Sequence, residues 1–178
     1  MRTIPTLLLI FLFGTSIAQT NSLTVSMSGI GEIRVGMKKE QLEKLTGKSL
    51  KPVNLRKTDD WQRDTVSFVY KDIAYEVMLD RDPLDAENKS FVVYEVKSSG
   101  AQLKTRSGIA IGDDKLKIVS TYQDFTMHIA PDYEQNYTVK SKTRSVVTLY
   151  GDESNTVIVF YLTNNKVTGF SVMYNEGC

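Results

Sequence analysis

The chain contains few of the side chains that ordinarily carry catalysis or bind metals. His128 is the single histidine, and Cys178, the last residue, is the single cysteine, so a zinc site built from histidine and cysteine ligands is excluded. A Ser-His-Asp hydrolase would have to use His128, and no serine stands in a Gly-x-Ser-x-Gly turn. His128 lies in FTMHIAP, which is typical of a strand, so we expect a structural imidazole. A cysteine nucleophile at a frayed chain end cannot be held against a base.

Carboxylates are the remaining catalytic or metal-binding groups. The segment DRDPLD brings Asp80, Asp82 and Asp85 together and could hold Ca²⁺ loosely, but it lacks the glycine and the distal bidentate glutamate of an EF-hand loop. A solvated loop turned by its proline is the better interpretation. Glu76 and Glu95, on neighbouring predicted strands, could form the acid pair of a glycoside hydrolase. Strand alternation alone also explains them as solvent-facing residues.

The segment SGIAIGDDKLKIVSTYQD, residues 107–124, resembles the opening of a ligand loop. A phosphate loop needs Gly-x4-Gly-Lys-Ser/Thr, whereas Gly112 is followed by Asp113 and Asp114, which would repel a phosphate. An earlier stretch, IRVGMKKEQLEKLTG, repeats its pattern with a shift of 76 residues. We therefore interpret the glycine as a strand-to-helix corner of an internal duplication, with Asp113 or Asp114 as the helix N-cap.

Each corner is followed by a predicted short helix. The first is expected over residues 38–45 with Leu42 and Leu45 on its apolar stripe, and Gly47 ends it. The second is expected to turn Leu116 and Val119 inward, with Ile118 and Tyr122 as further candidates. Helices this short need a sheet to lie on.

Strands follow both helices. Residues 66–80 alternate, with Ile73, Tyr75, Val77 and Leu79 on one face, and Lys71-Asp72 is a plausible turn. The segments FVVYEVKSS, RSVVTLYG, TVIVFYL and VTGFSVMY continue the pattern, with TNNK as a second turn. We therefore predict an α+β fold in which two helix-plus-antiparallel-meander repeats, residues 19–106 and 107–178, share one sheet and form two layers with the helices on one face.

The N-terminus predicts export. Arg2 precedes an apolar run over residues 7–13 and the small-residue sequence Ser16-Ile17-Ala18, which is typical of a secretory signal peptide over residues 1–18. A spanning helix needs roughly 20 apolar residues, so no membrane span is expected. Without Arg2 the chain carries 21 residues of each charge, which gives no indication of nucleic acid or an anionic membrane as partner. The expected location is periplasmic or extracellular.

The two corner motifs resemble those of exported bacterial repeat proteins. The pattern Ile33-x-Val35-Gly36-Met37 and its counterpart around Gly112 are similar to the repeats of the β-lactamase inhibitory protein family and of the SmpA/OmlA type of outer-membrane assembly lipoproteins. The resemblance implies the α+β fold described above and a role in protein binding, without catalytic residues. The chain lacks the lipid-bearing cysteine of the lipoproteins and the disulfide pairs of the inhibitor.

Aromatic residues outside the expected core are the candidate binding residues. Trp61 stands in the polar segment RKTDDWQRD, and Tyr133 and Tyr137 stand in APDYEQNYT. Aromatics in polar loops anchor many protein interfaces, although each could instead fold back over the core. Four more residues are expected on the outer face of the sheet: Phe91, Val93, Val159 and Tyr161.

Taken together, the residues favour an exported, non-enzymatic protein that binds another protein or a cell-envelope component without a cofactor or metal. Trp61, Tyr133, Tyr137 and Tyr161 are its predicted binding residues. Two alternatives stay open: a carboxylate-dependent hydrolase of envelope glycans, and a structural protein that self-associates through a sheet edge. Cys178 is either a free thiol or a link to another chain.

Overall fold

A computed structural model describes residues 23–51, 63–85, 90–133, 138–151 and 155–177. Within these ranges the chain forms two helices and eleven strands. The helices are α1 (Lys39–Thr46) and α2 (Lys115–Thr121). The strands, in chain order, are β1 (Thr24–Ser26), β2 (Gly29–Ile30), β3 (Ile33–Arg34), β4 (Asp64–Tyr70), β5 (Ile73–Arg81), β6 (Phe91–Ser98), β7 (Lys104–Thr105), β8 (Met127–Tyr133), β9 (Lys140–Tyr150), β10 (Thr156–Thr163) and β11 (Lys166–Tyr174).

The strands form one large and one small sheet. The large sheet has seven strands in the order β4-β5-β6-β11-β10-β9-β8, and every neighbouring pair is antiparallel. The small sheet has the order β3-β2-β1-β7, with a parallel β1–β7 pair, and packs against the central strands β6 and β11. Strands from both sides of residue 107 therefore belong to the large sheet.

The α+β prediction is wrong, because the described part of the chain is mainly β and contains no helical layer that covers the sheet. An eight-residue helix is about 12 Å long, whereas seven strands span about 29 Å. Each helix places one buried side chain in the core, Leu42 from α1 and Ile118 from α2. The small sheet contributes Val25, Ile30 and Ile33 to the same core.

The apolar stripe of α2 also differs from the prediction. Leu116 is 76% exposed, whereas Ile118 and Tyr122 are buried. Residues two apart in a helix point about 200° away from each other, so Leu116 and Ile118 cannot both face the core. The side chain of Asp114 accepts a hydrogen bond from the Leu116 N–H at 3.0 Å, which confirms the predicted N-cap and fixes where the helix begins.

Gly36 and Gly112 turn the chain just before each helix, as the sequence predicts. Their φ angles are 80° and 87°, in the left-handed region that favours glycine. The Gly36 N–H donates to the Val93 carbonyl on β6, and the Gly112 N–H donates to the Val167 carbonyl on β11, both at 2.8 Å. The two corners therefore attach to neighbouring central strands of the large sheet.

The two predicted hairpin turns are present. Lys71 and Asp72 join β4 to β5 with φ angles of 50° and 61°, and Asn164 and Asn165 join β10 to β11 with φ angles of 50° and 62°. Two-residue turns with positive φ match the twist of the strands that they connect. The predicted alternation of β5 is confirmed as well, because Ile73, Tyr75, Val77 and Leu79 are all buried.

Candidate functional site

The large sheet has a core face and an outer face. The outer face is defined by the residues that alternate with the buried ones, such as Ala74 and Glu76 on β5 and Lys97 on β6. It contains a cavity of about 410 Å³ whose lining includes residues from all seven strands. Because seven strands laid flat would span about 29 Å, one cavity can touch both edge strands only if the sheet curves around it. The outer face is therefore concave.

Tyr161 lies on this concave face, on the strand next to the central strand β11. Its strand, β10, pairs with β11, and Tyr161 lies opposite Gly169. A side chain at position 169 would approach the Tyr161 ring, since an added Cβ would lie 3.8 Å from the ring carbon Cδ2 and 3.3 Å from the Ser98 carbonyl oxygen. Because residue 169 has no side chain, the Tyr161 ring can lie close to the backbone of β11 at Gly169.

Two ion pairs flank Tyr161, one on each side. Glu76 and Lys97 lie directly opposite each other on β5 and β6, with 3.7 Å between Oε1 and Nζ. Arg144 on β9 places its Nε 3.6 Å from an Asp132 carboxylate oxygen on β8. All four side chains line the cavity, and each is between 39% and 54% exposed. The cleft is therefore lined by charged side chains that are partly exposed to solvent.

The order of these charges across the sheet follows from the strand order. Reading from β5 to β8, the face presents Glu76, Lys97, Tyr161, Arg144 and Asp132. The two cations are thus the inner pair, on either side of the tyrosine, and the two carboxylates are the outer pair. The Lys97 ammonium also lies 4.9 Å from the centre of the Tyr161 ring, a favourable cation–π distance.

The Tyr161 hydroxyl keeps its proton at ordinary pH. Its pKa is raised to about 12, mainly by burial and also by the carboxylates of Glu95, Asp132 and Glu76, against the opposing effect of a hydrogen bond with Ser171. The two hydroxyl oxygens of Tyr161 and Ser171 are 3.3 Å apart. Tyr161 can therefore offer a neutral O–H group as a hydrogen-bond donor or acceptor in the cavity.

The predicted binding residues fall in different places. Tyr161 lines the cavity, and Tyr133 lies 42% exposed at the end of edge strand β8, next to Asp132. Trp61 and Tyr137 lie outside the described residues, as does Cys178. The structure therefore places Tyr161 in the cavity and Tyr133 outside its lining, on the edge strand.

Two of the four residues predicted on the outer face are on the core face instead. Val159 lies on the outer face with Tyr161, but Val93 belongs to the core and Phe91 packs against it. The register between β5 and β6 shifts after Met78, and such a bulge reverses which face the following side chains occupy. The sequence contains no glycine or proline at this point that would have indicated the bulge.

The sequence did not single out Lys97, Arg144, Asp132 or Gly169. Strand alternation could have placed Lys97 on the same side as Glu95, but nothing local indicates that β6 and β9 lie on opposite sides of β10 and β11. Their meeting depends on the strand order. Glu76 was considered as a catalytic acid, and the structure pairs it with Lys97 instead of with Glu95.

The acidic loop is held by contacts within the chain. The Asp80 carboxylate accepts a hydrogen bond from Arg63 at 2.9 Å, and the buried Asp82 lies 3.7 Å from the Lys38 ammonium. Asp85 accepts two hydrogen bonds from Ser90, both at 2.7 Å. Among the described residues, no group of three or more His, Cys, Asp or Glu side chains could hold a metal ion.

A second aromatic cluster stabilises the start of β4. The Arg63 guanidinium lies 3.5 Å from the centre of the Tyr94 ring and also contacts Asp80 and Glu176. Burial raises the pKa of Tyr94 to about 12. Because Arg63 joins β4, β5, β6 and the segment after β11, we assign this cluster a structural role.

No protein-family model, curated protein or solved structure matches this chain. In the part of the chain that the structure describes, neither helix has the length and apolar character needed to cross a membrane.

Proposed function

We propose that this chain is an exported, non-catalytic module that binds a segment of a partner protein on its concave outer face, with Tyr161 at the centre of the contact. The observation that carries the proposal is the cavity of about 410 Å³ lined by all seven strands. A volume of this size lies within the usual range for ligand sites, and the described helices contribute their buried side chains to the other face.

The composition of the face supports a protein partner. Tyrosine and arginine are enriched at the centres of protein interfaces, and both line this cavity as Tyr161 and Arg144. Small-molecule sites usually bury most of their ligand, whereas the charged walls here are about half exposed. An extended segment lying along an open cleft fits this arrangement better than an enclosed small ligand.

The carboxylates of the cleft support binding over catalysis. A hydrolytic acid pair needs one carboxyl group whose pKa is raised by a desolvated site. Glu76 and Asp132 are both exposed, and each has a cation within 4 Å, so neither lies in a desolvated site of that kind. This geometry suits recognition of a partner.

Site-specific photo-crosslinking tests the proposal. A benzophenone amino acid replaces Thr168, an exposed residue that lines the cavity, and in a matched control it replaces Gln123, which is also exposed but lies outside the cavity. Each full-length protein is irradiated in cell-envelope extract, and adducts are identified by mass spectrometry. We expect one defined polypeptide adduct from position 168, none from position 123, and loss of the adduct when Ser99→Trp fills the cavity.

Two outcomes would contradict the proposal. One is the same set of adducts from both positions, which would indicate nonspecific contact. The other is an adduct from position 168 that persists at full yield with Ser99→Trp, because the partner would then lie outside the cavity.

A further inference from the structure

The edge strand β4 of the large sheet offers its backbone to a partner. On the basis of the function proposed above, we propose that the partner segment is an extended strand that pairs antiparallel with β4 and points every second side chain into the concave face. All neighbouring strands of the large sheet are already antiparallel, and addition of a peptide strand to a sheet edge is a common mode of protein recognition.

The hairpin turn determines which backbone groups of β4 face outward. Tyr70 and Ile73 flank the two-residue turn, and residues in that position exchange both backbone hydrogen bonds. Because hydrogen-bonded and non-hydrogen-bonded pairs alternate along an antiparallel ladder, the N–H and C=O groups of Thr65, Ser67 and Val69 point away from β5. In the described part of the chain, no strand pairs with this side of β4. The edge therefore presents a row of three donors and three acceptors.

The sequence of β4 leaves this edge open to pairing. Natural sheets block exposed edges with proline, lysine or bulges, and β4 contains no proline, no lysine and no register shift. Its exposed side chains, Thr65, Ser67 and Val69, are uncharged. Its one charged residue, Asp64, is buried at the end of the strand. Seven such residues offer about 24 Å of regular ladder.

The opposite edge of the sheet, β8, is protected. The Tyr150 N–H donates to the Thr126 carbonyl, which places position 131 among those whose backbone points outward. That position is Pro131, which has no N–H to donate. The ladder then shifts register between Pro131 and Tyr133. A strand added at β8 would lose a donor and meet a bulge, so β4 is the edge suited to pairing.

The dimensions favour a partner strand over a second copy of this chain. Pairing of two β4 strands would cover a strip about 24 Å long and 10 Å thick on each copy, or roughly 480 Å² in total. Stable protein interfaces bury roughly 1,200–2,000 Å². A second copy would also point only the short side chains of Thr65, Ser67 and Val69 toward the cavity side. A partner strand with longer side chains can add contacts inside the cavity.

Ser67 connects this edge to the cavity. It lies opposite Glu76, and both residues line the cavity of about 410 Å³ that also contains Tyr161. Residues directly opposite each other in neighbouring strands share a face, so a residue added opposite Ser67 points its side chain into the cavity. The next residues of the added strand lie beside Val66 and Phe68 on the core face. We therefore expect a segment that alternates apolar residues with long polar or aromatic ones.

Backbone methylation of a peptide tests the pairing. The probe is the blocked peptide Lys-Thr-Val-Tyr-Val-Tyr-Val-Thr-Lys, and calorimetry measures its binding to the full-length protein. One derivative carries N-methyl groups on both tyrosines, whose backbone faces β4 in the proposed pairing. Its matched control carries them on two valines, whose backbone faces away. We expect tyrosine methylation to weaken binding at least about tenfold, because two ladder hydrogen bonds are lost, and valine methylation to have little effect.

Protein variants and hydrogen exchange locate the contact. Ser67→Pro removes an outward donor and is expected to weaken binding of the unmethylated peptide about tenfold. Ser67→Ala keeps the N–H and, as the matched control, should leave affinity unchanged. In the free wild type the amides of Thr65, Ser67 and Val69 should exchange faster than those of Val66 and Phe68, and the peptide should slow them. The methylated peptides and the exchange measurement use the wild type, so they decide the question even if Ser67→Pro fails to fold.

Three results would overturn strand addition at β4. Equal binding of the two methylated peptides would show that no ladder forms. Slow exchange at Ser67 in the free monomer would show that the edge is already covered. A concentration-dependent dimer that Ser67→Pro dissociates would identify a second copy as the occupant.

The photo-adduct at position 168 separates this inference from the function proposed above. An adduct that persists at full yield in a folded Ser67→Pro variant would overturn strand addition and leave binding on the concave face intact. Absence of the adduct when position 67 is wild type would contradict the proposed function itself.

Discussion

Truncating one leucine in each helix tests how the helices attach to the sheets. Leu42 in α1 is fully buried, whereas Leu116 in α2 is 76% exposed. Both substitutions to alanine remove the same atoms and change helix propensity equally, so the difference between them reports burial alone. A buried leucine-to-alanine change costs about 2–5 kcal/mol, and a surface change stays within about 0.5 kcal/mol.

We therefore expect Leu42→Ala to lower the free energy of unfolding by about 3.5 kcal/mol and the melting temperature by roughly 7–14 °C, at about 2–4 °C per kcal/mol for a chain of this size. Leu116→Ala should leave both nearly unchanged. Ile118→Ala serves as the buried comparison within α2 and should resemble Leu42→Ala. Urea and thermal unfolding followed by far-UV circular dichroism measure all three. Similar losses from Leu42→Ala and Leu116→Ala would refute the assignment of the buried helix faces.

Three further predictions concern turns, pH and the arginine cluster. Asp72→Gly should raise the free energy of unfolding by about 0.5–1 kcal/mol, because glycine adopts the φ of 61° at that turn without strain. Asp124→Gly is the control, because Asp124 does not have a positive φ. It should lower the free energy of unfolding in the same urea titration. Hydrogen bonds from Lys71 and Tyr70 lower the pKa of Glu32 below 4.5, so its contribution to stability is present above that pH and is lost as the pH falls through the lowered pKa. Glu32→Gln should therefore lose stability less steeply than the wild type between pH 5 and pH 3, and parallel curves would contradict this. Arg63→Ala removes the contacts with Tyr94, Asp80 and Glu176 and should cost about 1 kcal/mol, with faster hydrogen exchange over residues 174–177. Arg63→Lys should recover part of the loss, and unchanged exchange in both variants would contradict the structural role of Arg63.

Local features of the fold were predictable from the sequence. The turns at Lys71-Asp72 and Asn164-Asn165, the corners at Gly36 and Gly112, and the N-cap at Asp114 all form where the pattern places them. Each depends on the backbone preferences of a few adjacent residues, so no distant contact is needed to specify it. The alternation of β5 belongs to the same class, because it follows from the two-residue period of a strand.

The fold class was mispredicted for a physical reason. The helical periodicity of residues 38–45 was genuine, but periodicity does not measure how much of a sheet a helix can cover. The segments before the first corner form short strands, and their residues Val25 and Ile30 supply the covering layer that the prediction assigned to helices. Strands of two or three residues carry too few positions for alternation to be detected.

The sequence by itself determined the local geometry, the shortage of catalytic and metal-binding side chains, and the presence of Tyr161 on an apolar strand. Only the tertiary structure decided that β6 lies beside β11, that the sheet curves, and that Lys97 and Arg144 therefore flank Tyr161 in one cleft. These residues are far apart in the chain, and the energies that bring them together come from pairing and packing among strands. A charge pattern across a sheet follows the strand order, and no local segment encodes that order.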